Sequence, residues 1–261
     1  MKITVLASGS KGNCTLIETE QNKFLIDIGI SYKALKNKLS EVNVEVEDID
    51  AIFITHEHSD HVKGLEVLIK RHNIYIVLSH GSYQAIVSRK KIGVMYEYYN
   101  VIDADEEVYL NNTCITPFHV SHDALEPFGY IIKGDNKKVV YLTDSGYISQ
   151  ENEERIQGAN VYIMETNHNI EMLMCTNRPW RLKQRILGDN GHLCNEDALH
   201  TLLRIVNDKT QAIYLAHISE EANNVDLLML TVKDIFSQCI HNENIKFIIA
   251  KQHELSESTV I

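Results

Sequence analysis

Residues 56–61 read His56-Glu57-His58-Ser59-Asp60-His61 and follow directly on an apolar run at residues 51–55. In an extended chain, residues i and i+2 point to the same side, so His56 and His58 can reach one cation. Asp60 and His61 lie where helical spacing begins and can face a second cation nearby. Imidazole and carboxylate are the usual ligands of zinc, and of manganese or iron in sites with more oxygen donors. This stretch therefore predicts a metal-binding loop at the end of a buried strand.

Four ligands do not complete two metal sites, and further candidates lie downstream. His122, Asp144 and His217 each follow an apolar run that we interpret as a strand. A loop at the end of a strand can project a side chain into a shared cleft. Each residue alone is a weak signal, because a single histidine after a strand is more often structural. Together with residues 56–61, they predict a cleft that holds two divalent cations.

Composition bounds the class of protein. The chain has 261 residues, 44% of them hydrophobic, and no linker rich in Pro, Gly or Ser, so we expect one domain over residues 1–261. No apolar run approaches the roughly 18 residues of a transmembrane helix, and the first residues do not resemble a signal peptide. Five widely spaced cysteines without a C-x-x-C pair fit reduced thiols. These features predict a cytoplasmic protein with no membrane partner.

The formal net charge of −11 argues against a general nucleic-acid binder. Affinity for a phosphate backbone comes from clustered Lys and Arg, which this chain has only locally. The charge does not exclude a nuclease, however, because two divalent cations neutralise several carboxylates within a site. The 13 histidines are therefore more informative than the net charge.

Short apolar runs alternate with amphipathic segments along the rest of the chain. The predicted strands are residues 3–6, 14–17, 24–28, 51–55, 75–78, 114–119, 129–133, 138–142, 161–164, 212–215 and 246–249. The predicted helices are residues 32–39, 62–72, 82–89, 149–157, 195–206 and 223–239. Strands dominate the first two-thirds, and helices alternate with strands in the last third. That order is typical of two sheets packed face to face with helices outside.

The order of these motifs resembles the metallo-β-lactamase superfamily over nearly the whole chain. The shared pattern is H-x-H-x-D-H, followed by His, Asp and His at strand ends. The resemblance implies an α/β fold, an αβ/βα four-layer sandwich with the metals at one rim. The implied ligands are His56, His58 and His122 for one cation, Asp60, His61 and His217 for the other, and Asp144 as a bridge. Asp27 matches the superfamily carboxylate that lies behind the metal loop and orients a ligand imidazole. His119 competes with His122 but lies inside the predicted strand.

Four segments are similar to a narrower group, the YycJ/WalJ exonucleases. They are residues 5–14 (VLASGSKGNC), 121–124 (SHDA), 166–168 (TNH) and 191–193 (GHL). The resemblance implies a bacterial metal-dependent phosphodiesterase, a 5′→3′ exonuclease that acts on double-stranded DNA. DNA is then the expected partner. Residues 8–13 also form a loop of Gly, Ser and Lys whose amides could meet a phosphate.

Phosphodiester cleavage needs a proton donor as well as metals, because the alkoxide leaving group is poor. Glu165 follows the predicted strand at 161–164, and His192 lies in the loop at 189–192. A carboxylate behind an imidazole raises its basicity and fixes its orientation. The arrangement resembles the Glu–His pair of tRNA-maturing ribonucleases in the same superfamily. We therefore take His192, Glu165 and Asp60 of the metal loop as candidate catalytic residues; in the alternative, His192 only caps the helix that begins at Asn195.

A basic segment around the single tryptophan is a candidate DNA contact. Its residues are Arg178, Trp180, Arg181, Lys183 and Arg185. Arginines bind phosphate through paired N–H groups, and an aromatic side chain can stack on an end base. Asn167 and His168 are further candidates for binding phosphate or positioning DNA. An amphipathic helix with a solvated basic face, and a structural role for His168, fit the sequence equally well.

Two other functions are compatible with the same ligand set. One is a hydrolase of small-molecule esters, thioesters or lactones. The Glu165–His192 pair and the basic segment favour DNA over these substrates. The other is a non-catalytic regulatory protein, which the complete ligand set disfavours. Zinc, manganese and iron all suit the predicted ligands, and the sequence leaves the oligomeric state open.

Overall fold

The computed structural model describes residues 1–237 and 245–261. In these residues, the predicted strands and helices appear in the predicted order, together with further elements that were not predicted. The strands are β1 (Lys2–Ala7), β2 (Cys14–Glu18), β3 (Lys23–Ile26), β4 (Ala51–Phe53), β5 (Tyr75–Ser79), β6 (Tyr99–Ile102), β7 (Val108–Leu110), β8 (Thr113–His119), β9 (Phe128–Gly134), β10 (Lys137–Leu142), β11 (Val161–Glu165), β12 (Ala212–Ala216), β13 (Lys246–Ile249) and β14 (Thr259–Val260). The helices are α1 (Tyr32–Glu41), α2 (Ser59–Val62), α3 (Leu65–Ile69), α4 (His80–Tyr83), α5 (Gln150–Ile156), α6 (Ile170–Cys175), α7 (Trp180–Leu187), α8 (Asn195–Ile205) and α9 (Val225–Phe236).

The strands form two sheets, each antiparallel on one side and parallel on the other. The first has the order β14-β1-β2-β3-β4-β5-β6, and β3 to β6 are parallel. The second has the order β13-β12-β11-β10-β9-β8-β7, and β10 to β13 are parallel. Parallel neighbours need crossover connections, which place helices on the outer face of a sheet.

Side-chain alternation along the strands produces the layers. In β11, Val161 and Ile163 belong to the apolar cluster between the two sheets, whereas Tyr162 and Met164 pack against α5, α8 and α9. The first sheet is covered in the same way by α1 and α3. Burial of both faces explains why these strands read as continuous apolar runs. The four-layer αβ/βα sandwich that the resemblance implies is thereby confirmed.

Local signals set the helix boundaries. Ser31, Ser149 and Asn224 each accept a hydrogen bond at the start of α1, α5 and α9 from the backbone N–H three residues later. The predicted helix at 62–72 corresponds to α3, and its first residue, Val62, ends α2. The predicted helix at 82–89 consists of the end of α4 and a π-helical turn at Gln84–Arg89. The predicted helix at 223–239 corresponds to α9, and its last two residues lie outside the described residues.

Five elements were not predicted as such: β6, β7, β14, α6 and α7. The three strands are short and partly exposed, so they lack the apolar run that marks a buried strand. The basic segment does form a helix, α7, as its amphipathic interpretation allows. Within the described residues, every helix is too short or too polar to cross a bilayer.

Candidate metal centre

Ligand-bearing side chains gather at the carboxyl ends of the parallel strands. His56 lies beyond β4, Asp144 beyond β10 and His217 directly after β12, while Glu165 ends β11. The carboxyl ends of parallel strands share one edge of a sheet, where loops present side chains to a common crevice. Loops from the two sheets meet at this edge. His61 follows β4 of the first sheet and Asp144 follows β10 of the second, and His61 Nε2 lies 3.2 Å from Asp144 Oδ2.

His56, His58 and His122 form a first group of possible ligands. One ring nitrogen of each lies within 4.8 Å of the others, and His58 Nδ1 is 3.3 Å from His122 Nε2. Two nitrogens this close need a proton or a cation between them, since their lone pairs otherwise repel. Burial lowers the pKa of His56 and of His122, which favours the neutral form that ligates metals. The competing His119 ends β8, is exposed and packs its ring against Phe128.

Asp60, His61, Asp144 and His217 form a second group, with their ligand atoms again within 4.8 Å of one another. Asp144 lies between the two groups. Its Oδ1 is 3.4 Å from His217 Nε2 and 3.9 Å from His122 Nε2. Burial alone raises the pKa of Asp144, but His217 and His61 hold it well below its ordinary value. The central group is therefore an ionised carboxylate.

Hydrogen bonds at Nδ1 orient three of the imidazoles. His61 Nδ1 donates to Asp27 Oδ2 at 2.7 Å, and His122 Nδ1 donates to a backbone carbonyl at 3.1 Å. His217 Nδ1 donates to Glu165 Oε1 at 2.8 Å. A proton held on Nδ1 leaves the Nε2 lone pair of each ring directed into the cluster. Partners of this kind behind metal-ligating histidines fix the tautomer and raise the basicity of the ligand.

The cluster fits divalent cations. Among the described residues, the buried atoms His56 Nε2 and His217 Nε2 have no hydrogen-bond partner. An unpaired buried polar atom costs about 1–3 kcal/mol, which coordination of a cation would offset. Burial lowers the pKa of His217, but the carboxylates of Asp144, Asp60 and Glu165 raise it to about 10. The negative potential that attracts a proton to this ring attracts a metal ion as well.

Backbone geometry places two of the candidate ligands and the Asp27 carboxylate behind them. Asp27, Asp144 and His217 have φ angles of +63°, +57° and +52°, in the left-handed region. This conformation turns the chain sharply after a strand, and Asp, Asn and His are the non-glycine residues most often found in it. Gly29 lies so close beneath the metal loop that an added Cβ would be 1.6 Å from the Asp60 carbonyl oxygen. Only glycine fits there without moving the loop.

The loop at residues 8–13 packs against the candidate ligands, and Ser10 lines the cleft beside them. That an amide of this loop meets a phosphate stays a prediction. The amides that already donate within the protein are those of Ser8, Gly9, Lys11, Gly12 and Asn13. Ser8 Oγ accepts a hydrogen bond from His217 N at 2.8 Å, and Asn13 Nδ2 lies 3.1 Å from His61 Nε2. The sequence singles out this loop as a motif but contains no sign of the two histidines that it contacts.

Glu165 joins His192 to the metal cluster. Its Oε1 accepts hydrogen bonds from His192 Nδ1 and from His217 Nδ1, both at 2.8 Å. Its Oε2 accepts from the amides of Ser145 at 2.9 Å and Leu193 at 3.3 Å. Burial alone raises the pKa of Glu165, but the two histidines lower it to about 2. Burial in turn lowers the pKa of His192, and Glu165 more than compensates, so the net shift is upward.

The alternative role for His192, that of a helix cap, belongs to another residue. Cys194 is the N-cap of α8, and its Sγ accepts a hydrogen bond from Asp197 N at 3.4 Å. Burial raises the pKa of the Cys194 thiol to about 12, so this side chain is not a thiolate nucleophile. His192 is left free to act at the cleft that it lines.

The metal cluster opens into a cleft of about 370 Å³. Of the predicted DNA-binding residues, Asn167, Arg178 and Arg185 line this cleft. Trp180 is 57% exposed at the start of α7. Arg181 is exposed too, and it borders a separate apolar groove beside α7 instead of the metal cleft. Arg178 and Arg185 of the basic segment therefore line the cleft, whereas Trp180 and Arg181 do not.

Two of the predicted DNA contacts, Lys183 and Asn167, are hydrogen-bonded within the protein, and a third, His168, is buried. Lys183 is buried, and its Nζ donates to the carbonyls of Met174 at 2.6 Å and Thr176 at 2.8 Å, which stabilises the carboxyl end of α6. Asn167 Nδ2 donates to the His217 carbonyl at 2.9 Å. His168 is 1% exposed, burial lowers its pKa to about 4, and its ring nitrogens have no partner among the described residues. In this structure, Lys183 and His168 do not line the cleft.

Comparison with known proteins identifies relatives of this chain. The family model described as a beta-lactamase superfamily domain matches residues 22–230. Exodeoxyribonuclease WalJ of Streptococcus pneumoniae is 39% identical over 238 residues, which cover 91% of this chain and 88% of that protein. Exodeoxyribonuclease YycJ of Bacillus anthracis is 35% identical over 239 residues, which cover 91% of this chain and 90% of that protein.

A solved structure agrees on the fold. The metallo-β-lactamase fold protein YhfI from Bacillus subtilis superposes with a TM-score of 0.72 at 19% identity, covering 99% of each chain. An identity this low carries information about the fold alone.

Proposed function

This chain belongs to the β-lactamase superfamily, and we propose that it is a metal-dependent phosphodiesterase that degrades duplex DNA from the 5′ end. The observation that carries the proposal is the Glu165 carboxylate, which links a metal-ligand histidine to a second, cleft-lining histidine suited to proton donation. Cleavage of an ester with a poor leaving group needs both of these features. The two exodeoxyribonuclease relatives support the choice of DNA.

In this proposal His56, His58 and His122 hold one cation, Asp60, His61 and His217 hold the other, and Asp144 lies between them. Two divalent cations in such a site supply an activated water at neutral pH and offset the negative charge on the phosphoryl oxygens. The donor set of five histidines and two carboxylates suits zinc, manganese or iron. Asp27 and Glu165 keep His61 and His217 in the tautomer that ligation requires.

His192 supplies the proton to the departing alkoxide. Its Nδ1 proton is held by Glu165, so the ring is oriented with Nε2 as the atom available to substrate. The upward shift of its pKa keeps a larger fraction of the imidazole protonated near neutral pH. The leaving oxygen takes the Nε2 proton as the P–O bond breaks, and Nε2 regains a proton from solvent through the cleft.

The first prediction concerns this proton donor. His192→Ala is expected to lower kcat on duplex DNA by about 10²-fold or more while the metal content stays unchanged, because the ring donates a proton without ligating a cation. Activity and metal content per chain, measured by atomic emission, check both statements. His200→Ala is the matched control, since His200 is an exposed histidine on α8. A loss of metal in the His192 variant would instead make His192 a ligand, which its place in a third cluster with Asp144, Glu165 and His217 permits.

The substrate is tested by offering several to the same preparation. Protein loaded in turn with zinc, manganese or iron is incubated with end-labelled duplex DNA, single-stranded DNA, RNA and a simple thioester. We expect mononucleotides from the 5′ end of the duplex strand. Hydrolysis of the thioester beside intact DNA would contradict the proposal and assign the site to small-molecule esters.

A further inference from the structure

The cleft contains two basic side chains, and both are already paired with carboxylates. Arg178 and Arg185 are the only Lys or Arg residues among the described residues that line it. Arg178 Nε donates to Glu221 Oε2 at 2.8 Å. Arg185 forms a two-pronged pair with Asp123: Nη2 donates to Oδ1 at 2.9 Å, and Nε donates to Oδ2. The two guanidinium groups that should attract a phosphate backbone are therefore already paired with carboxylates of the protein.

The carboxylate partners come from the loops that carry metal ligands. Asp123 directly follows His122, and Glu221 lies four residues after His217. Their contacts hold α7 and the segment before it against these two loops. A carboxylate and a phosphate present similar pairs of oxygen acceptors to a guanidinium group, so either can occupy the same fork of N–H donors.

We propose that Asp123 and Glu221 occupy the positions that two DNA phosphates take when substrate binds, and that binding exchanges carboxylate for phosphate at Arg185 and Arg178. This inference rests on the proposed function and adds a selection step to it. The four side chains are between 25% and 53% exposed, and ion pairs this accessible to water are weak enough to exchange. In a chain of net charge −11, only a strand drawn in by the metal cluster as well displaces both carboxylates. Duplex that merely touches the surface meets negative charge instead.

Glu221 is the residue to test, because Asp123 Oδ1 lies 3.4 Å from His122 Nε2 and its removal would disturb a metal group. In Glu221→Gln the guanidinium of Arg178 has lost its charged partner. We expect this variant to bind duplex DNA roughly two- to fivefold more tightly, which matches the strength of an exposed ion pair. The slope of log K against log salt becomes steeper by up to about 0.9, because no carboxylate is released to take up a cation.

The measurement is fluorescence anisotropy of a labelled duplex with cleavage-resistant phosphorothioate ends, titrated at several salt concentrations with metal-loaded protein. Three further variants complete the design. Glu153→Gln breaks a comparable pair, with Arg204 outside the cleft, and carries the same change of charge. Arg178→Gln and the double variant Arg178→Gln/Glu221→Gln close a double-mutant cycle.

The exchange predicts two results that a general charge effect does not. In the wild-type background, Glu221→Gln increases the affinity for DNA. In the Arg178→Gln background, it increases the affinity by no more than the control Glu153→Gln increases that of the wild type. The double variant, which has the net charge of the wild type, binds DNA more weakly than the wild type. Equal tightening in both backgrounds, no tightening, or wild-type affinity in the double variant would each overturn the inference while leaving the exonuclease proposal intact. A wild-type protein that neither binds nor degrades DNA would remove both.

Discussion

Asp144→Asn is expected to abolish hydrolysis, with kcat reduced by at least about 10³-fold and metal content reduced as well. Asp144 is buried at the centre of the cluster, with its two oxygens near His61, His122 and His217. Asparagine preserves the shape of the side chain but removes the negative charge that offsets two cations. Its amide nitrogen also has no lone pair to offer a metal, so one of the two possible oxygen ligands is lost. Steady-state kinetics and metal analysis of the same preparation measure the two losses.

Asp208→Asn is the matched control for Asp144→Asn. Asp208 is exposed in the turn that precedes β12, at the opposite end of that strand from His217. This variant should retain wild-type activity and metal content. Asp144→Asn protein that is folded by circular dichroism and still fully active would refute the two-metal site, whatever its substrate.

Glu165→Gln is expected to lower kcat by about 10³-fold, more than the loss of His192 alone. The carboxylate serves both His192 and His217, so the variant loses proton donation, worth about 10²-fold, and metal affinity, worth about tenfold or more. Glutamine cannot accept hydrogen bonds at both of its terminal atoms. The amides of Ser145 and Leu193 then face an N–H donor, and each unsatisfied buried group costs about 1–3 kcal/mol of stability.

The pH profile separates these contributions. Glu165 raises the pKa of His192, so its neutralisation lowers that pKa. A general acid acts in its protonated form, so activity falls as pH rises through the pKa of His192. The alkaline limb of the kcat profile in Glu165→Gln should therefore move to lower pH. An unmoved limb would show that His192 is not the group that titrates, and Glu151→Gln, an exposed change on α5, should leave the profile as it is.

Much of the fold follows from apolar patterning. Strands buried on both faces, such as β11 and β12, are continuous apolar runs that the sequence marks clearly. Three edge strands, β6, β7 and β14, were not predicted. Each has a neighbouring strand on one side only, so residues such as Val101 and Tyr109 are exposed and the apolar run is interrupted. The order in which strands pair is set by contacts between distant segments. The two-sheet sandwich was therefore predicted from family resemblance and from the succession of strands along the chain, and the register of the strands was not predicted.

The histidine motif at residues 56–61 identified the chemistry of the site from the sequence alone, because few residue types bind metals and the motif places several of them together. The further ligands were recognisable as His and Asp after strands, since parallel strands end at a common edge. Tertiary structure alone decided how these groups are partnered. Glu165 lies 52 residues from His217 and 27 from His192, yet one oxygen serves both. Arg185 lies 62 residues from the Asp123 that neutralises it, and Lys183, two positions earlier, turns away from the cleft to bind carbonyls of its own segment. A charge in a sequence shows which interactions a side chain can make, but the direction of its helix face and the loop opposite determine which one it makes.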